Sequence, residues 1–572
     1  MELNVLLIGE GRFAVFCGRC AKINRNYSMN DELIAGMRCP PDLQREDYLP
    51  WSRGRGVDVW AMFVAAVTGD VGTMARLVSR EPALASCEYQ YFTPLHFAVR
   101  EGQLAVVQYL LARGVNPLYG FGDMPVRMAR ERGYSAVGDY LESWLAEHYG
   151  IVPAGVGLAA AIRDGDLEWV REEMLREPAL VHAADERGNR PIHWAALTRE
   201  LGLIEWLLEH GADVDAVRPD GARAIDLTNG DYHYRSWYRD LPATALRKHE
   251  VIIGYLLARG AFCSISVAAK IGGHQQVCAL LDQDASLVNR LPSYVTYYSG
   301  LPLRNAAAAG HMEVVKLLLE RGANVNEPEP GIAPYGGALH SAIGGKHWEI
   351  ARLLLERGAD PLATVESSGD ILHMARHVDA PAEIISLIES AIAATGRARD
   401  ADVVGYESDL EVLSSLLMLD PQAPVDHYLG YLIAEDRRPQ LELVLRHQPE
   451  ILRRQTQLSA AWWDGATFKS PEQARWLLEQ GLDARLSNWL GITMLHRCAA
   501  KGLTDIAAVL LEFGASMDAI DAEWSSTPCG WAARHGRLEM MEWLVARGAD
   551  PTAPADKPWA WAAEWVRRRQ AV

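Results

Sequence analysis

The residues best equipped for chemistry in this 572-residue chain fall in one aperiodic stretch and the loops that follow it. NGDYHYRSWYRDLPATALRKH, Asn229 to His249, crowds three Tyr, one Trp, two His and six further charged residues into 21 positions. Downstream lie PSYVTYYSG (Tyr294, Tyr297, Tyr298), GIAPYGG (Tyr335) and VESSGD (Glu366, Ser367, Ser368, Asp370). Brought together, they could do acid/base work: Asp231, Glu366 or Asp370 as the carboxylate, His233 as a proton shuttle, Tyr297 or Tyr298 as a hydroxyl donor. Ring faces beside carboxylates also suit a sugar or another small polar molecule, and the same rings suit a protein partner, because aromatic anchors dominate interface energetics. The zinc-protease H-E-x-x-H, the hydrolase G-x-S-x-G and the P-loop G-x-x-x-x-G-K-[ST] are all absent from the sequence. The enzyme question is therefore left open and leans against catalysis, with no cofactor and no metal expected.

Composition narrows the class. The chain is 49% hydrophobic and 23% charged, as in ordinary globular proteins. Its formal charge of −18 disfavours nucleic acid and anionic membranes, which recruit Lys and Arg. The first apolar run, LNVLLI, is too short to span a bilayer and lacks the flanks of a signal peptide. Eight Cys scattered along the chain point to a reducing compartment, so the expected location is cytoplasmic. Cys17 and Cys20 form a lone C-x-x-C without the four ligands a structural zinc needs, and the G-x-G-x-x-A after LNVLLI lacks room for a dinucleotide-binding unit.

What must position these residues is a repeat. FTPLHFAVREGQLAVVQYLLARGVNP (Phe92 to Pro117) returns as RPIHWAALTRELGLIEWLLEHGADV, LPLRNAAAAGHMEVVKLLLERGANV, GALHSAIGGKHWEIARLLLERGADP, TMLHRCAAKGLTDIAAVLLEFGASM and TPCGWAARHGRLEMMEWLVARGADP. Gly481 to Gly514 is 33 residues and Gly514 to Gly548 is 34. Each unit predicts two short helices: Thr93 caps, Pro94 takes the first helical position, Gly102 breaks, and a Gly closes the second helix. These residues resemble the ankyrin repeat, whose signature is T-P-L-H-x-A at a 33-residue period. The resemblance implies an all-α ankyrin-repeat solenoid of about fourteen helix pairs, in one stack or two. It also implies that His96, His193, His340, His373 and His496 are structural, bonding along the stack.

Several units lack the closing Gly and carry a tail such as REPALAS or REPALVHA instead. The chain divides on this reading into an irregular N-terminal cap or docking segment at 1–56, not needed for stacking, and a first stack at 57–394. A break follows at 395–408, then a second stack at 409–572 ending in a capping helix, KPWAWAAEWVRRRQAV, whose terminal Arg residues suit the helix dipole. The 229–249 insertion interrupts the turn between the two helices of one unit.

The loops between units, the fingers, are unusually aromatic. Candidate binding residues are Tyr89, Tyr91, Tyr119, Tyr234, Arg235, Trp237, Tyr294, Tyr335, Trp462, Trp463, Trp489 and Trp524, and eighteen Trp against nine Phe favours rings with a polar handle. By resemblance, the expected function is a protein-interaction scaffold that binds a protein partner through an aromatic-rich concave face. The alternative is an array that binds or transforms a small polar, carbohydrate-like ligand in a pocket formed by the 229–249 insertion and the fingers near 294–298, 335 and 366–370.

Overall fold

A computed structural model describes residues 34–49, 52–119, 125–228, 230, 249–295, 299–330, 332–365, 369–397, 413–414, 417–418, 420–421, 425, 429–430, 432–433, 436–453 and 468–570. Helices dominate them, in successive pairs such as Pro94–Arg100 with Leu104–Leu111, Pro191–Leu197 with Leu201–Glu209, Pro302–Ala308 with Met312–Glu320, and Pro528–Arg534 with Leu538–Val545. The fold is an all-α repeat solenoid. Among the described residues, no helix is long and apolar enough to cross a membrane.

Local sequence explains each pair. Thr93 Oγ1 accepts the His96 amide at 3.2 Å, which satisfies an orphan donor of the first turn, and Pro94 follows at a position that needs none. The first helices carry Ala where neighbours meet. Ala98, Ala195, Ala268, Ala306, Ala342, Ala375, Ala499 and Ala532 are all fully buried, so the backbones approach closely. Second helices end in a left-handed Gly, as at Gly211 (φ 91°) and Gly548 (φ 102°), where a side chain would be strained. Units with a Pro-containing tail end instead in a short 3-10 turn, Pro82–Ser86 or Pro178–His182, that turns Leu84 or Leu180 and Val181 into the core.

Hydrogen bonds tie one repeat to the next at both ends of the first helix. At its C-terminus, exposed carbonyls are capped by the following unit: Gln103 Nε2 donates to Val67 O at 2.9 Å, Arg132 to Arg100 O at 2.8 Å, Arg537 to Ala500 O at 3.3 Å and Arg569 to Arg534 O at 3.1 Å. At the base of the fingers Asn289 accepts the Asn324 amide at 2.9 Å, and Asn326 accepts the Asp360 amide at 2.8 Å. The fingers are tight hairpins. Their strand content is slight, as in the two-residue antiparallel pair of Thr364–Val365 with Gly369–Asp370.

By packing, the described residues form two compact units, one within 41–453 with 468–483, and one of 484–570 with 34–40. In the larger unit, Pro41–Gln44 packs on the first helix, Gly56–Thr68. A Cβ at Gly56 would lie 2.2 Å from Asp42 O, so only glycine fits there. In the smaller unit, Met37 is fully buried and the Arg38 amide donates to Trp489 O at 2.8 Å. Residues 34–40 are thus part of that unit's packing. The last helix, Ala562–Gln570, buries Trp565 and spends Arg567 and Arg568 on Glu564, while Arg569 reaches the previous first helix.

Candidate functional site

The site is best approached from the joint between a first helix and its finger. In consensus units the joint is a neutral histidine. His193 is fully buried, accepts the Arg190 amide at 3.0 Å through Nδ1 and reaches Ala216 O at 2.9 Å through Nε2. His496 does the same with Thr493 N (3.2 Å) and Ser526 O (3.1 Å), and burial pulls its imidazole down to about 4. These two histidines bond along the stack, as the resemblance implies, and His340 is buried in its helix as well.

Two carboxylates brace fingers from within. Asp185 accepts the Arg187 and Asn189 amides, both at 2.9 Å, and Trp194 Nε1 at 2.8 Å. Asp521 accepts Trp524 N at 2.6 Å, Ser526 N at 3.1 Å and Trp531 Nε1 at 2.8 Å, yet its complete burial pushes the carboxyl up to about 6.

Between 223 and 337 the joint changes character. Asp226 stands at the helix position that His193 and His496 occupy, and accepts the Arg223 amide at 2.9 Å. In the helix Pro302–Ala308, Arg304 takes that position and forms a buried ion pair with Glu329 of the following finger. Arg304 also donates to Ser299 O at 2.8 Å, and the Leu301 amide donates to Glu329. Gly300 and Gly337 line the pair, where a Cβ would come within 2.0 Å and 2.6 Å of Arg304. The sequence reading missed this substitution of charges for histidine. Its signal was the missing H in RAIDLT and LPLRNA.

The proposed aromatic residues separate by burial. Tyr119 is 45% exposed and Tyr335 48% exposed, on finger loops. Tyr89 and Tyr91 are half-buried in the hairpin Tyr89–Phe92, whose two turn residues, Gln90 (φ 50°) and Tyr91 (φ 67°), are both left-handed without glycine. That conformation is strained, and it holds Tyr91 at the tip of the turn. Tyr294, Trp489 and Trp524 are buried and pack inside their units. Tyr294 lies in a core cluster with Ala224 and Val267, its ring 5.7 Å from the guanidinium of Arg218. Arg218 in turn donates to Asn189 at 2.7 Å, so three fingers are laced together. The remaining binding candidates, Tyr234, Arg235, Trp237, Trp462 and Trp463, lie outside the described residues.

Of the acid/base candidates, Asp370 is described. It is buried and accepts the His373 amide at 2.8 Å as the N-cap of Ile371–His377, so its carboxylate caps a helix. Asp231, His233, Tyr297, Tyr298 and Glu366 lie outside the described residues. Among those described, no group of three or more His, Cys, Asp or Glu is placed to hold a metal ion.

A second aromatic pattern lies on the outer helices. Arg or His four residues along stacks on a half-buried ring: Arg113 3.5 Å over Tyr109, His210 3.7 Å from Trp206, and Arg547 3.7 Å over Trp543. This row accounts for several of the Trp and Tyr residues without involving the fingers.

Comparison with known families agrees with this architecture. The family described as "Ankyrin repeats (3 copies)" matches residues 265–365 and 462–555, and the family "Ankyrin repeat" matches 90–119 and 187–218. Similar curated proteins include palmitoyltransferase Hip14 of Drosophila melanogaster, 39% identical over 79 residues, and palmitoyltransferase ZDHHC17 of Homo sapiens, 36% identical over 81 residues. The putative palmitoyltransferase ZDHHC13 of Danio rerio is 34% identical over 93 residues. The matches cover 14–16% of this chain and 12–14% of those relatives. With its capped helix pairs, hairpin fingers and stack-bonding histidines, this chain is an ankyrin-repeat protein.

Proposed function

We propose that the chain is a protein-interaction scaffold that binds its partner through the fingers of residues 213–337. One observation carries this reading. On four successive fingers an apolar side chain stands in solvent over a closed core: Val217 (36% exposed), Phe262 (56%), Leu291 (41%) and Tyr335 (48%). An exposed apolar row on a polar surface is a mark of an interface. The similarity to palmitoyltransferases spans 79 to 93 residues, the length of two or three repeats, and is read here as a likeness of repeats. Of the carboxylates of the small-ligand alternative, Asp370 is described, and it caps a helix. The compartment is read as cytoplasmic from the cysteine usage.

The test uses the full chain as bait in an extract of its own source, beside Phe262→Ala/Tyr335→Ala. The reading expects one protein recovered in near-stoichiometric amount by the wild type and reduced at least about tenfold by the variant, the loss expected of two hot-spot rings. Equal recovery by both baits contradicts it.

A further inference from the structure

Residues 34–40, IAGMRCP, pack with the C-terminal unit although they stand at the opposite end of the sequence. They open with a two-residue turn. Ile34 and Met37 exchange backbone hydrogen bonds at 3.0 and 2.9 Å, and Ala35 (φ 48°) and Gly36 (φ 80°) are both left-handed. The turn delivers Met37 into the unit, where it is fully buried, and the next amide, Arg38 N, donates to Trp489 O at 2.8 Å. Gly36 lies against the following finger, where a Cβ would come within 3.0 Å of Ala522 Cβ. Pro40 and Pro41, which carry no backbone donor, end the segment. We propose that the fingers at 489–490 and 521–524 form a peptide-binding surface, that residues 34–40 are its intramolecular ligand, and that a partner segment of the same chemistry, Gly-Met followed by a backbone donor, replaces them.

Three observations support this. First, the surface is covered where fingers ordinarily are not. Finger tips face solvent, as Glu186 does in the finger 185–189. Here every residue from Asp521 to Thr527 is buried, and Trp489 is 2% exposed. The elements that follow cover one side of the finger 521–527: Lys557 Nζ donates to Ser525 Oγ at 2.9 Å, Ser526 Oγ donates to Ala560 O at 3.0 Å, and Trp524 meets Trp565 edge-on. Gly36 lies against its Ala522. Second, neighbouring carbonyls of the finger 488–492 are put to two uses. Leu490 O accepts the Ala522 amide at 2.7 Å and joins finger to finger, while Trp489 O accepts from the segment. A backbone acceptor offered to an extended chain is how peptides dock along an edge, with side-chain pockets supplying specificity. Third, the segment is built as a ligand and not as a repeat. Met37 and Pro40 are buried while Ala35, Gly36 and Arg38 are exposed, so one unbranched, adaptable side chain is the main anchor. None of this rests on the fingers of 213–337.

Anisotropy of a fluorescently labelled peptide, IAGMRCP, titrated with the full chain under reducing conditions tests the proposal. The wild type is compared with Met37→Asp and, independently, with Gly36→Val, which places a branched side chain against Ala522 at a left-handed position. A tethered ligand acts at an effective concentration of about 1 mM, so the wild type should bind the free peptide at least about 100-fold more weakly than either variant, whose surface is vacated. The same peptide carrying Met37→Asp should not bind. Hydrogen–deuterium exchange reads the surface directly: both variants should lose protection at 488–492 and 521–524 and keep it at 528–545, and added peptide should restore it. Equal binding by the wild type and the variants, or binding by none of the chains, overturns the proposal. Loss of protection through 528–545 in both variants also overturns it, because the segment would then be part of the core. So does a concentration-dependent wild-type dimer whose dissociation exposes 488–492, which would seat the segment on a second copy.

Discussion

The same joint between first helix and finger is built in two chemistries. In the C-terminal unit it is a clasp on one residue: His496 takes the carbonyl of Ser526 and Asp521 takes its amide, each at 3.1 Å. Every partner there is supplied within that unit. At 223–337 the histidine is replaced by Asp226 and by the buried pair Arg304–Glu329. A neutral histidine bonded to backbone makes the joint at low desolvation cost, whereas charges in the same place do not, because the penalty of burial rivals the Coulombic gain. Departures of this kind from a repeat's own pattern tend to mark working sites. They coincide here with the fingers that expose Phe262 and Tyr335.

The largest effect expected is at the charged joint. Glu329→Ala strands the Arg304 guanidinium in the core and should lower stability by about 3–5 kcal/mol, whereas the paired replacement Arg304→Met/Glu329→Leu should recover most of the loss. Urea midpoints of the two variants decide it. A small loss in Glu329→Ala would remove the distinction between the joints.

The histidine joint predicts a pH signature instead. The folded pKa of Asp521 is raised to about 6, so its contribution is fully present below about pH 4 and is lost as pH rises through 6. The folded pKa of His496 is depressed to about 4, so its contribution is present above about pH 6.5 and is lost as pH falls through 4. Each is worth on the order of 3 kcal/mol, and the two nearly cancel in the wild type. His496→Gln should therefore unmask a stability that falls from pH 4 to 6, and Asp521→Asn one that rises. Parallel profiles for the two variants would mean that the clasp on Ser526 is not shared.

Smaller effects separate strain from binding. Tyr91→Gly relieves a left-handed residue and should stabilise the chain by about 1 kcal/mol while leaving partner recovery unchanged. Phe262→Ala and Tyr335→Ala, on exposed finger positions, should each shift stability by less than about 0.5 kcal/mol and still reduce binding. A Tyr91→Gly variant that loses partner recovery would extend the working face beyond 213–337.

Much of this fold is written locally and is therefore legible in sequence. Thr93-Pro94, the Ala positions and the closing Gly residues act within a few positions of one another, and each predicted its cap, contact or turn. The site is written between repeats. Glu329 meets Arg304 only because stacking brings them together, and no local pattern announces the pair. Trp489 and Trp524 look solvent-facing by their finger sequences NWLG and AEWSS, yet their units fold over them. The insertion remains a sequence feature: it leaves after Thr228 and returns at His249, between the two helices of one repeat.

The account rests most on the fingers being the binding face. Hydrogen–deuterium exchange of the chain with and without its captured partner tests this directly. Protection should concentrate at 213–223, 261–264, 290–295 and 323–337. Protection confined to the outer helices that carry Tyr109, Trp206 and Trp543, with those fingers unchanged, would contradict it.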